Sequence, residues 1–92
     1  MVRRSKIDVI WDMLIALQRA GGQMKPTRLL YKANLSHNKL KEYLSELEEQ
    51  NFIELNTIED DRKLIEITIK GHQYVSELRR VRNFGKDLGL ND

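Results

Sequence analysis

Ser36-His37-Asn38-Lys39-Leu40-Lys41 places short polar side chains next to cations in one brief stretch. An asparagine amide carries a donor and an acceptor side by side, which matches the edge of an adenine. A lysine replaces the counterions condensed on a phosphate backbone. Among the cations before this stretch are Lys25, Arg28 and Lys32, and among those after it are Arg62 and Lys63. The candidate nucleic-acid contacts are therefore Lys25, Arg28, Lys32, Ser36, His37, Asn38, Lys39, Lys41, Arg62 and Lys63. In this set Asn38 is a base reader, and Lys25, Arg28 and Lys32 hold phosphates. The competing reading is an ordinary solvated helix surface.

Other chemistry finds little footing. The chain has no cysteine, which rules out disulfides, cysteine-bound zinc and thiol catalysis. His37 and His72 stand apart, without metal-ligand spacing to each other or to an acid. No glycine-rich phosphate loop or nucleophile motif occurs. Gly21-Gly22 reads as a turn and Asp60-Asp61 as a hairpin tip. No catalytic residue, metal or cofactor is expected, and the chain is not read as an enzyme.

The formal net charge of +2 conceals a polarity along the chain. Residues 1–41 carry +7, residues 42–61 carry −8 with no Lys or Arg, and residues 62–92 carry +3. A nucleic-acid face should therefore be built from the first part and the tail. Glu42, Glu46 and Glu49 oppose it, since acids in the second half of a groove-reading helix repel phosphate. Either only the first turns of that helix enter a groove, or the acidic band from Glu42 to Asp61 is a protein-binding surface.

The elements that must position these residues follow from periodicity and punctuation. Ser5, with Asp8 three residues on, caps a first helix that Gly21-Gly22 ends at about Ala20. Ile7, Ile10, Trp11, Leu14 and Leu17 form its predicted inward face, with Met13 and Ile15 partly off it. A second helix starts near Pro26, turns Leu29, Leu30 and Ala33 inward, and ends at Asn34. Leu35 plugs the core from the turn. Ser36 caps a third helix running to about Gln50, with Leu40, Tyr43, Leu44 and Leu47 on one face. Asn51 is its left-handed terminator. Phe52–Ile58 and Leu64–Ile69 alternate and are rich in β-branched residues, so they read as a hairpin around a polar loop, Glu59 to Lys63. Gln23-Met24-Lys25 could add a third strand. Thr68 caps a last helix from about Ile69, with Tyr74, Val75, Leu78, Val81 and Phe84 as its apolar positions.

The order is three helices, a hairpin and a helix. The fold class is α+β, a winged helix-turn-helix with a β-hairpin wing and a C-terminal helix. Ninety-two residues make a single domain, 1–92, with a core of about 5–82 and a tail, 85–92, expected to fray. A chain this short gains from dimerisation. Trp11, Ile15, Tyr74, Leu78, Val81 and Phe84 are apolar in excess of one core and form the predicted dimer interface. Asp8 and Asp12 interrupt the N-terminal apolar stretch, whose longest pure run is Met13 to Leu17. That run is too short for a secretory core or a membrane span. No membrane contact and a cytoplasmic location are expected.

YKANLSHNKLKEYL (Tyr31 to Leu44), then Leu47-x-x-x-x-Phe52-Ile53 and Ile67-Thr68-Ile69-Lys70-Gly71, resembles the small archaeal winged-helix proteins. These are predicted transcriptional regulators and chromatin-associated DNA-binding proteins, related in fold to the MarR and PadR groups. The resemblance covers roughly Ile7 to Val81. It implies a winged helix, DNA binding and a dimer. It further implies that Ala33 to Ser36 form the turn and that His37, Asn38 and Lys41 open the recognition helix. By the same likeness, Arg62 and Lys63 lie in the wing, and Thr68, Lys70 and Gly71 open the last helix. Asn51 departs from a common glycine, and Glu48 and Glu49 from commonly apolar positions. The expected function is a homodimeric transcriptional regulator on double-stranded DNA, with helix 3 in the major groove and the wing beside it. The alternatives are a protein-interaction module without DNA affinity and a sequence-independent chromatin protein.

Overall fold

The structure, a computed structural model, describes residues 4–87 and the side chains of residues 4–83. Helix α1 spans Lys6–Arg19, strand β1 Gln23–Met24, helix α2 Pro26–Lys32 and helix α3 His37–Glu49. Strand β2 (Ile53–Thr57) and strand β3 (Lys63–Ile67) form the wing, and helix α4 spans Ile69–Asp87. The sheet order is β1-β3-β2, antiparallel throughout, with Met24 and Leu55 both opposite Ile65. The short β1 thus gives the hairpin a third strand, tying the wing to the helices. This is the winged helix-turn-helix that the residue pattern predicts.

Local chemistry sets the element ends. Ser5 Oγ accepts the Asp8 N–H at 3.1 Å, and the Asp8 carboxylate accepts the Ser5 N–H at 3.1 Å, closing a capping box on α1. Those bonds, chiefly, hold the Asp8 carboxyl below its ordinary pKa of 3.8, with Arg82 adding to the effect. Asn34 (φ 55°) and Asn51 (φ 65°) end α2 and α3 in the left-handed region, as their side chains permit. Five residues, 58–62, connect the strands, and the Ile58 N–H donates to the Arg62 carbonyl at 2.7 Å, which narrows the tip to Glu59–Asp61. Asp60 and Asp61 are both left-handed, and the Arg62 N–H donates to the Glu59 carbonyl at 3.1 Å. Helix α4 passes through Gly85 to Asp87, and residues 88–92 of the tail lie outside the described residues.

The core gathers Val9, Ile10, Met13, Leu14 and Leu17 of α1 against Leu29, Leu40, Leu44, Leu47, Ile53, Ile65 and Val75. Each fully buried side chain of this size stabilises the fold by about 1.5–3 kcal/mol. The inward face of α1 differs from the predicted stripe. Ile7 is 52% exposed, while Val9 and Met13 are buried. Helix α1 packs at once against α2, α4 and β3, so its buried arc is turned away from Ile7. Leu30 is only half-buried.

The surface predicted to be in excess is partly covered within the chain. Tyr74 stacks on Phe52 with ring centroids 4.4 Å apart. The Trp11 ring lies beneath the guanidinium groups of Arg82 and Arg79, at 4.9 and 5.7 Å. Ile15 packs on the core edge and Leu78 is half-buried. Val81 is 66% exposed, and the Phe84 side chain lies outside the described residues.

Candidate nucleic-acid interface

The α2–α3 turn takes four residues, Ala33 to Ser36. The Leu35 N–H donates to the Leu30 carbonyl at 2.9 Å, and Ser36 Oγ accepts the Lys39 N–H at 3.2 Å. Arg4 pins this turn from outside. Its guanidinium donates to the Asn34 carbonyl at 2.9 Å and pairs with Asp12 at 2.9 Å, joining the turn to α1.

The ten candidate residues do not form one patch. His37, Asn38, Lys41 and Lys63 line a single cleft of about 650 Å³ between α3 and the wing. Its floor is apolar, made by Leu40, Leu44, Leu55 and Pro26, and Ser45 and Glu48 complete its wall. Asn38, Lys41, Ser45 and Glu48 recur at helical spacing, so one face of α3 looks into this cleft. Arg28 and Lys32 instead line a second cleft of about 400 Å³ between α1 and α2. There they meet Arg19, over a floor that includes Ile15, Ala16, Ala20 and Met24. Ser36 is engaged as the α3 cap, and Lys25 precedes Pro26 as the N-cap residue of α2. The wing cations separate. Lys63 faces the first cleft, whereas Arg62 stays at the tip, 3.9 Å from the Asp60 carboxylate.

Ion pairs alter the meaning of the acids on α3. Glu46 pairs with Lys6 of α1 at 2.8 Å, on the side away from the α3–wing cleft. The hydrogen bond to Glu46, together with its charge, raises the Lys6 pKa above its ordinary value. Glu42 pairs with Lys39 at 3.2 Å. Such exposed pairs add little stability, but each removes a negative charge that would otherwise oppose phosphate. Among the described residues, Lys25, Arg28, Lys32, Lys41 and Lys63 form no ion pair with an acid. The free cations among the ten candidates therefore lie in or beside the two clefts, while Lys39 and Arg62 are locally neutralised.

Four polar residues of these clefts, Asp12, Arg19, Ser45 and Glu48, are not among the sequence candidates. Ser45 and Glu48 could have been found by extending the Asn38–Lys41 face along the helix. Arg19 carries no local signal, because only the crossing of α1 and α2 brings it to Arg28 and Lys32. Among the described residues no His, Asp or Glu cluster could hold a metal. No helix among them is long and apolar enough to cross a membrane.

A helix-turn-helix followed by a hairpin wing, with the free cation Lys41 and short polar groups on the exposed face of α3, is the fold of winged-helix DNA-binding regulators. The chain belongs to the winged helix-turn-helix family, whose profile matches residues 3–86. It is similar in structure to Sso10a-2, a DNA-binding protein from Sulfolobus solfataricus. That protein is 25% identical, the match covers 92% of this chain and 85% of the other, and the TM-score is 0.78. F93 from STIV, a winged-helix DNA-binding protein, is 19% identical over 98% of this chain and 100% of its own, with a TM-score of 0.75. AbsC, a MarR family transcriptional regulator from Streptomyces coelicolor, is 21% identical over 86% of this chain, with a TM-score of 0.70. The chain spans 59% of the length of AbsC, and the likeness to AbsC and F93 is one of fold alone. No curated protein matches the chain in sequence.

Proposed function

We propose that the chain binds double-stranded DNA as a homodimer and regulates transcription. The observation that carries this reading is the α3–wing cleft, where Asn38, Lys41, Ser45 and Lys63 surround one concavity with Glu48 as its one acid, and Glu42 and Glu46 are neutralised elsewhere. The first turns of α3 enter the major groove, with Asn38 at a base edge and Lys41 and Lys63 at flanking phosphates. Arg19, Arg28 and Lys32 hold the backbone at the second cleft. The wing tip follows the neighbouring backbone or minor groove, with Arg62 released from Asp60 toward the DNA. The names of Sso10a-2 and F93, both DNA-binding proteins, support the same reading.

Pairing α4 with its two-fold mate would cover Leu78, Val81 and the Trp11 edge. It would also set two recognition helices about one DNA turn, roughly 34 Å, apart. The test is a titration of random and genomic duplexes across salt, with sedimentation of the free protein. A dimer that neutralises on the order of six to ten phosphates weakens in binding by about a thousandfold or more between 50 and 200 mM salt. Leu78→Glu, which puts a charge against apolar neighbours, dissociates or unfolds the dimer. Equal affinity for every duplex makes the protein a sequence-independent chromatin component. No binding at about 50 mM salt, or a protein that sediments only as a monomer, defeats the two-half-site reading.

A further inference from the structure

The Thr68-x-Lys70-Gly71 segment opens α4 but bonds mainly to the end of α3. Thr68 Oγ1 accepts the Gly71 N–H at 3.0 Å, as an N-cap does, and donates its own proton to the Asn51 carbonyl at 2.7 Å. The Thr68 N–H donates to the Phe52 carbonyl at 3.1 Å. Lys70 Nζ donates to the Gln50 carbonyl at 2.9 Å, and the ammonium lies 5.2 Å from the Phe52 ring centre. At Gly71 a Cβ would overlap the Phe52 carbonyl oxygen, so the two backbones touch. Three consecutive carbonyls at the α3 exit, Gln50 to Phe52, are thus held by one turn of α4.

The α3 exit needs such partners. The last carbonyls of a helix have no intrahelical donor, and they form the negative end of the helix dipole. The Phe52 N–H already returns to the Leu47 carbonyl at 2.9 Å and closes the turn. Lys70 adds a full positive charge at that end, on a side chain anchored in the neighbouring helix. The far end of α3 is held differently, by its own Ser36 cap and by Arg4 on the Asn34 carbonyl. The exit of α3 is therefore bonded to the start of α4, while its entry is bonded to its own cap and, through the turn, to Arg4.

We propose that Lys70 is a positioning residue for DNA recognition: its bond to Gln50 fixes the tilt of α3 to the direction of α4. This inference rests on the DNA-binding reading above. It makes the orientation of α4, the helix proposed to pair the two subunits, a determinant of how Asn38 and Lys41 meet the groove.

The test uses the full chain and the tightest-binding duplex selected from a random pool. Lys70→Met keeps an unbranched apolar stem over Phe52 and removes the ammonium, and Lys70→Arg restores a cationic donor. Lys70→Met should bind about tenfold more weakly, the size of a missing charge-assisted hydrogen bond, with the salt slope unchanged because every phosphate keeps its cation. Lys70→Arg should recover most of that affinity. Unchanged affinity in Lys70→Met overturns the inference alone. A flatter salt slope also overturns it, since Lys70 would then bind phosphate itself. So does a weakening that merely tracks the folded fraction seen by circular dichroism, which would mean stabilisation without positioning. A wild-type chain that binds no duplex sinks the DNA-binding reading, and this inference with it.

Discussion

The two clefts are built from similar charges and suit different tasks. The α1–α2 cleft presents Arg19, Arg28 and Lys32, long cations with no short polar partner except Asp12, which Arg4 occupies. The α3–wing cleft has fewer cations, Lys41 and Lys63, and adds His37, Asn38 and Ser45, with Glu48 as its one acid, over an apolar floor. Cations alone hold a backbone of any sequence, whereas amides and hydroxyls distinguish base edges. On the proposed DNA-binding reading, the α1–α2 cleft supplies affinity and the α3–wing cleft discrimination. Net charge separates them only slightly, since the first lining carries three cations with Asp12 and the other two cations with Glu48. What separates them is the length and type of the side chains that the fold brings together.

Replacing Arg19, Arg28 and Lys32 together with alanine should have the largest effect. The salt slope should flatten by about 0.9 for every phosphate that no longer meets a cation. Affinity at low salt should fall on the order of a hundredfold or more, equally for a selected and a random duplex. A change in the ratio of those two affinities would show that the α1–α2 cleft also reads sequence.

Asn38→Ala should do the opposite. It should weaken the selected site by about 1–3 kcal/mol and leave random DNA nearly untouched. An equal weakening on both duplexes would erase the distinction between the clefts.

The wing tip offers a smaller and sharper test. Asp60 and Asp61 both adopt left-handed backbone, which suits an Asn-Gly turn better. Asp60→Asn with Asp61→Gly should stabilise the fold by about 1 kcal/mol, raising the melting temperature by a few degrees. It should also raise affinity for any DNA, because two acids leave the neighbourhood of Arg62. Arg62→Ala should weaken the selected site more than random DNA, as insertion into a narrow minor groove requires. No change in either affinity would remove the wing tip from the interface.

The smallest effect concerns acid stability. The folded pKa of Asp8 lies below its ordinary value of 3.8, so its contribution is complete above that value. It is lost as pH falls from there through the lowered folded value. Asp8→Asn should flatten the acid limb of the stability curve in that window and leave DNA affinity at neutral pH unchanged. An unaltered acid limb would show that the Ser5–Asp8 box is equally formed in the unfolded chain.

Most of the fold was readable because its punctuation is local. Ser5 with Asp8, Gly21-Gly22, Pro26, Asn34, Ser36, Asn51 and Thr68 act on their own few residues of backbone, so each end could be placed without knowing the partners. The hairpin followed from pattern in the same way, and the short strand at Gln23 from the hairpin's need for a third strand. The site was only half readable. Asn38 and Lys41 share a helix face, so their joint position followed from helical spacing. Arg28 and Lys32 were recognisable as cations, but not as members of a separate cleft.

By itself, then, the sequence determined the element order, the caps and turns, and which helix carries the short polar side chains. Those depend on interactions a few residues apart. Only the tertiary structure decided that Arg19 joins Arg28 and Lys32, that Lys6 neutralises Glu46, and that Lys63 parts from Arg62. It also decided that Lys70 serves the exit of α3 rather than its own helix. Each of these pairs residues from different elements, 9 to 40 positions apart or, for Lys63 and Arg62, adjacent ones that a strand end turns different ways. No local pattern encodes them, because the distance between such groups is set by how the elements cross, and that is settled by packing of the shared core.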